Sequence, residues 1–385
     1  MATERKLTGL TQLQLAQRAH VSVSLVRSVE QGRVPASPAF VAAVARALGR
    51  GTPELLGQPA GPRTPDDRRT HTIVPALRRE LASYQLPGDE GIEVRPVEEL
   101  RHAVRGVSAR RQSVDLARLG EEVPALLAEL RAFTSSTGSE EGYGLLALAW
   151  TAAGQVTYKL GYADLSSLCT ERIEWAAARS GDELAVAAGA FFRAGELIVT
   201  NESRAALDYL DRARSQIEHR LDDEAGRSMY GQLHLKSGLA AARAGDGATV
   251  DSHLAEAKDL ASRVGEFRND YELCFNVHNV RIWSVGLAVE LMEGTKAVER
   301  AQGMVIPRGV SLERAGHHFI DLSRGYLLHG DKAGAFESLL TARRIAPQQT
   351  KYHPQVHETV RMLAQAERRR SDSLGSFVSW LGVTV

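Results

Sequence analysis

The sequence predicts an all-α chain, with a small bundle of short helices at the N-terminus and a long stack of helical repeats behind it. Three observations predict this. Hydrophobic residues make up 43% of the 385 and aromatics only 6%, in Ala- and Leu-rich stretches with few β-branched clusters, a composition that favours helix. Apolar residues in the first sixty positions recur at helical spacing around short polar breaks. Further on, a pattern of large, small and glycine positions returns at intervals of 40 residues (161 to 201) and 44 (201 to 245).

In the N-terminal segment, Thr11 can cap a helix whose buried side is Leu13, Leu15, Ala16 and Ala19, and the chain then turns through His20 and Val21. Ser22 can cap the next helix, where Leu25, Val26 and Val29 form a stripe and Val23, Ser24, Arg27 and Ser28 point away from it. Gly32 suits a left-handed helix end, and Pro35 and Pro38 lead through an extended loop to a helix over 39–48. Residues 1–57 hold seven Lys or Arg against three Asp or Glu, although the 47 basic and 47 acidic residues of the whole chain cancel. A phosphate-binding surface, if present, is therefore local to this segment.

Thr11-Gln12, Leu15-Ala16, Val21-Ser22, Val26, Val29-Glu30, Gly32, Pro38 and the 45–48 helix together resemble the Xre/Cro-type repressor domain, a helix-turn-helix bundle. Only ten residues precede Thr11, so the first helix of that family is clipped here or starts upstream. The resemblance implies that the second helix of the motif enters the major groove. It places Val23, Ser24 and Ser28 against bases, Arg27 near bases or phosphate, and Gln12 on a phosphate. The set has no bidentate Asn or Gln, so specificity would lean on Arg27 or on DNA shape.

The segment 58–72, rich in Pro and Gly, reads as a linker. Connecting helices are expected over 73–113, the first running from Val74-Pro75 to about Leu86. Repeats are expected over 114–370 and a capping or dimer-contact helix over 371–385. Phe319, Leu322, Tyr326, Gly330, Ala335, Leu339, Ala342 and Pro347 have the spacing of one tetratricopeptide repeat. The same phase fits Gly238, Ala241, Gly245, Val250, Leu254 and Ala257, and also Leu197, Asn201, Ala206, Leu210 and Ala213, with a further turn at Gly161. A tetratricopeptide-like α-solenoid of five or six helix pairs follows, and such stacks enclose a concave groove.

One segment of the array is polar: Asn276, His278, Asn279 and Arg281 follow Cys274-Phe275. Two amides three residues apart share a helical face and could grip a peptide backbone, with Arg281 on a carboxylate; equally, they could satisfy neighbouring helices. The stretches GEEVPALLAEL, FNVHNVRIW and the sequence from His317 to Val360 resemble actinobacterial helix-turn-helix regulators with tetratricopeptide repeats. That resemblance implies operator DNA bound as a homodimer and a peptide or small-molecule effector in the groove. The alternative is a protein-interaction adaptor with a degenerate DNA-binding head.

Enzymatic and metal chemistry find little support in the sequence. No phosphate-binding Gly loop, Gly-x-Ser-x-Gly elbow or paired-carboxylate site occurs, and no cofactor is expected. His317-His318 and the His353, His357 pair lack a third ligand, so no metal is expected. Tyr158, Trp175 and Trp283 read as core. Cys169 and Cys274 lie far apart, as packed thiols of a cytoplasmic protein would, and no apolar run approaches the length of a membrane span.

Overall fold

A computed structural model describes residues 1–56, 58, 68, 70–71, 73–88, 91–366 and 372–382. The expected linker 58–72 lies almost wholly outside the described residues. All regular elements among the described residues are helices.

The head comprises α1 (Ala2–Leu7), α2 (Gln12–Ala19), α3 (Val23–Glu30), α4 (Pro38–Leu48) and α5 (Thr52–Leu55). Its helix starts are set by side chains. Thr11 accepts from Gln14 N while the Gln14 amide oxygen accepts from Thr11 N at 2.9 Å, and Ser22 and Ser37 cap α3 and α4. His20 takes a left-handed φ of 55°, which turns α2 into α3. Leu15, Ala16, Ala19, Val26, Phe40, Val44 and Leu48 form the core. Leu13, expected inside, is 53% exposed. It lies two positions from buried Leu15, about 200° around the helix, so both cannot face one core.

The body opens with α6 (Ile73–Ser83), α7 (Val97–Ser113) and α8 (Leu116–Thr137). The first of these stops three residues short of the expected Leu86. Five helix pairs follow: α9 (Glu140–Leu160) with α10 (Ala163–Ala177), α11 (Glu183–Val199) with α12 (Ser203–Ile217), and α13 (Glu224–Ala244) with α14 (Gly247–Ala261). The last two are α15 (Val277–Glu290) with α16 (Gly294–Ala301), and α17 (Leu312–His329) with α18 (Lys332–Ile345). Each pair turns through a left-handed residue: Gly161, Asn201, Gly245, Met292 and Gly330. Asp246 and Asp331 then cap α14 and α18 by accepting from backbone N–H groups.

First helices touch directly across α11–α13, α13–α15 and α15–α17, and each also packs on the second helix of the preceding pair. The stack then curls until its ends meet. Lys159 of α9 reaches Glu313 of α17 at 3.0 Å and Gln349 at 3.1 Å, Leu116 N donates to Gln348, and α17 packs on α7. The first helices thereby surround a lumen. Beyond them, α19 (Pro347–Tyr352) and α20 (Pro354–Ala366) precede α21 (Asp372–Leu381), whose Leu374, Phe377 and Leu381 pack with Val356, Val360 and Leu363 and cover the end of the stack.

Phe275 is fully buried with its ring against Gly231 of α13, where a Cβ would stand 2.0 Å from Cζ. Gly231→Ala is therefore expected to lower array stability by about 1–3 kcal/mol through overpacking, measured as a lower thermal midpoint. An unchanged midpoint would contradict this packing.

Candidate nucleic-acid interface

The head presents α3 with Ser24 and Arg27 exposed and Ser28 half-buried. Val23 is half-buried and packs partly on the head core, so less of it is free than its position on the helical wheel suggests. Ser24 Oγ lies 3.0 Å from Ser22 Oγ at the helix start. Among the described residues Arg27 makes no ion pair, and its side chain stands in solvent.

A salt bridge fixes this surface from behind. Arg5 of α1 donates from Nε and Nη2 to both Glu30 oxygens at 2.7 and 2.9 Å, and from Nη1 to Leu10 O at 2.8 Å. Gln12 Nε2 donates to Glu30 Oε2 at 2.8 Å. The Arg5 hydrogen bonds hold the Glu30 carboxylate below its usual range despite its burial. Arg5 in the last turn of α1 and Gln12 at the start of α2 thus both tie down Glu30 at the C-terminal end of α3. Gln12, expected on a phosphate, has one amide proton engaged and the other left to donate.

Sequence counting could not say which head cations are free. Arg5, Arg46 and Arg50 pair with Glu30, Glu202 and Glu4. Lys6, Arg18, Arg27 and Arg33 form no ion pair among the described residues and are exposed. Arg18 and Arg33 were not singled out in the sequence because neither lies on α3.

The opposite side of the head is occupied by the array. Arg46 Nη2 donates to Thr200 O at 2.8 Å, Asn201 O at 3.2 Å and Glu202 Oε1 at 2.7 Å. Pro35, Ala36 and Ser37 meet Met292, Leu327, Leu328 and Glu358. These contacts fall at the ends of α11, α15 and α17 and on the later helix Pro354–Ala366, whose Gln365 side chain also lies against Gly32.

The polar segment expected to grip a ligand is engaged in the fold. Asn276 caps α15 by accepting from Asn279 N at 2.9 Å, and Asn279 donates to Cys274 O and accepts from Arg314 Nε at 2.8 Å. These bonds hold a turn in which Tyr271, Glu272 and Cys274 all have positive φ. Arg281 is exposed, and the structure does not bring it together with the two amides.

Chemically distinctive groups lie instead inside the lumen. Tyr158, expected in the core, is 56% exposed. It faces Glu196, Arg243, Glu290 and Asp321 on the other four first helices, and burial raises its phenol. It thus lines the lumen rather than the outer surface. Glu290 binds Arg243 and, at 2.9 Å, Arg324, which also reaches Asp321 at 3.3 Å. Lys236 lies 3.9 Å from the Phe191 ring centroid. Trp175 and Trp283 pack against the core clusters, as expected. Among the described residues no group of three or more His, Cys, Asp or Glu could hold a metal ion, and no helix is long and apolar enough to cross a membrane. Both cysteines are free thiols, Cys169 buried and Cys274 half-buried.

No curated protein matches the chain. A solved structure described as BtubC (BKLC) from P. vanneervenii is similar over 71% of this chain and 96% of that one, at 15% identity and a TM-score of 0.37, too distant to inform function. Residues 2–56 match the family described as Helix-turn-helix domain, the same stretch in which α2, the His20 turn and α3 are built. The head is a helix-turn-helix domain, and the chain carries the DNA-binding module of a transcription regulator.

Proposed function

We propose that the chain is a cytoplasmic, ligand-responsive transcription regulator of the Xre type. Two heads of a homodimer read operator half-sites, and tetratricopeptide-type repeats sense a peptide or small molecule in their concave face. Val23, Ser24, Arg27 and Ser28 meet the bases and Gln12 a phosphate, while Arg281 and the Asn276–Asn279 turn border the effector. The observation that carries this reading is that α3 exposes Ser24 and Arg27, within a head whose cations without an ion pair among the described residues are Lys6, Arg18, Arg27 and Arg33. Charges left unpaired on one small domain suit phosphates, and Arg27 on α3 suits guanine.

A mobility shift on the DNA upstream of the protein's own gene, across a salt series, tests it. Arg27→Ala is expected to weaken specific binding by about 1–3 kcal/mol and to flatten the log–log salt slope by about one. Binding that survives competitor DNA and falls with salt supports the reading. No shift at low salt overturns it and favours the adaptor, whose groove would hold a protein partner.

A further inference from the structure

The lumen charges pair almost completely. Lys159 holds Glu313, and Arg243, Glu290, Arg324 and Asp321 form one connected network. Lys236 makes no ion pair among the described residues, and neither does Glu196, which accepts from Ser166 and Thr170 at 3.4 Å. The Lys236 ammonium lies over Phe191 and beside Gly195, whose missing side chain leaves it uncovered on the α11 side. The charges that act on it are Arg314 from α17, Glu196 from α11 and Arg243 from its own helix. Arg314 itself lies over the Trp283 ring at 5.6 Å and donates to Asn279. Two cations thus each lie over an aromatic ring, Arg314 paired with Glu313 at 3.9 Å and Lys236 bonded to no carboxylate. An ammonium held this way lacks a counterion, and burying it unpaired is costly.

We propose that the lumen binds a small aromatic carboxylate, its carboxylate between Lys236 and Arg314 and its ring among Phe191, Trp283 and Tyr158. Glu196 on the neighbouring helix favours a monoanion over a dianion, since a second negative charge would face it directly. The role of this ligand rests on the effector-sensing reading above, but its binding can be measured without DNA. Burial, reinforced by Arg314, brings the Lys236 ammonium down to about 8, so the cation needed for binding is lost just above neutral pH.

The test is calorimetric titration of the full chain with benzoate, with inorganic phosphate as comparison. Benzoate should bind more tightly than phosphate. Lys236→Met should weaken it tenfold or more, equivalent to about 1.4 kcal/mol; Lys236→Arg should retain binding, and Lys258→Ala, at an exposed position of α14, should leave it unchanged. Circular dichroism establishes that each variant is folded, and if Lys236→Met is not, the pH series on the unaltered chain decides. Affinity should be level from about pH 6 to about pH 8, where benzoate is ionised, and fall about tenfold per unit above that. No benzoate binding, tighter phosphate binding, full binding by folded Lys236→Met, or constant affinity to pH 10 would each overturn the site. Benzoate binding by a protein that shifts no DNA would leave the site standing and remove the regulator reading.

Discussion

Glu290→Ala is expected to destabilise the array by about 3–5 kcal/mol, the cost of leaving buried cations without their counter-charge. Glu290 bridges Arg243 of its neighbour α13 and Arg324 of its neighbour α17, so one substitution strands Arg243, leaves Arg324 with Asp321 alone and unties three helices. Chemical denaturation followed by helical circular dichroism measures it, and a loss below 1 kcal/mol would show that the network is solvated. A pH dependence accompanies the interaction. Burial opposes the Glu290 carboxylate, but Arg243 and Arg324 outweigh it and hold it below its usual range. The folded-state value lies below the unfolded one, so the stabilisation is complete above the unfolded range near pH ~4.3 and is lost as pH falls through the folded-state value. Glu313, held low by Lys159 and Arg314 against the same burial, acts in the same direction. The unaltered array should therefore lose stability in acid more steeply than Glu290→Ala does.

Arg5→Ala should have a comparable effect on the head, again about 3–5 kcal/mol, because it leaves the Glu30 carboxylate with Gln12 as its one remaining donor and takes the donor from Leu10 O. A domain of about 55 residues has little stability to spare, so this variant should lose DNA binding while the array melts unchanged. Arg5→Lys restores the charge but not the paired geometry and should recover only part of it. Separate melting of head and array, or proteolysis confined to residues before 57, distinguishes this outcome from loss of a DNA contact. Retained DNA affinity in Arg5→Ala would contradict the bracing role.

How much was legible in the sequence follows the range of each interaction. Thr11, Ser22 and Gly32 act on residues within one turn of themselves, and their roles could be read directly. Turns at Gly161, Asn201, Gly245 and Gly330 were visible because these residue types tolerate positive φ; the turn at Met292 adopts the same geometry with a residue that gives no such signal. The Asn276, Asn279 spacing suits an N-cap as well as a ligand grip, and only the position of Cys274 O and Arg314 shows which contacts are made here. Tyr158 has the aromatic character and helical spacing of a core residue, yet closure of the stack turns its face into a lumen wall. That closure depends on Lys159 meeting Glu313, 154 positions away, a contact no local pattern encodes. The Arg5–Glu30 pair was hidden for the same reason, at a separation of 25.

The seating of the head has a mechanical consequence. Arg46 grips the turn after α11, while Ala36 and its neighbours rest on the turns after α15 and α17. A rigid domain fastened at two places on a curved stack acts as a gauge of that stack's radius. Small rotations accumulated over successive helix pairs alter the chord between the fastenings, and a head of fixed width cannot follow both. A change in the radius of the stack would therefore be met at these fastenings, of which the Arg46–Glu202 pair, with both side chains more than half exposed, is the one solvent weakens most.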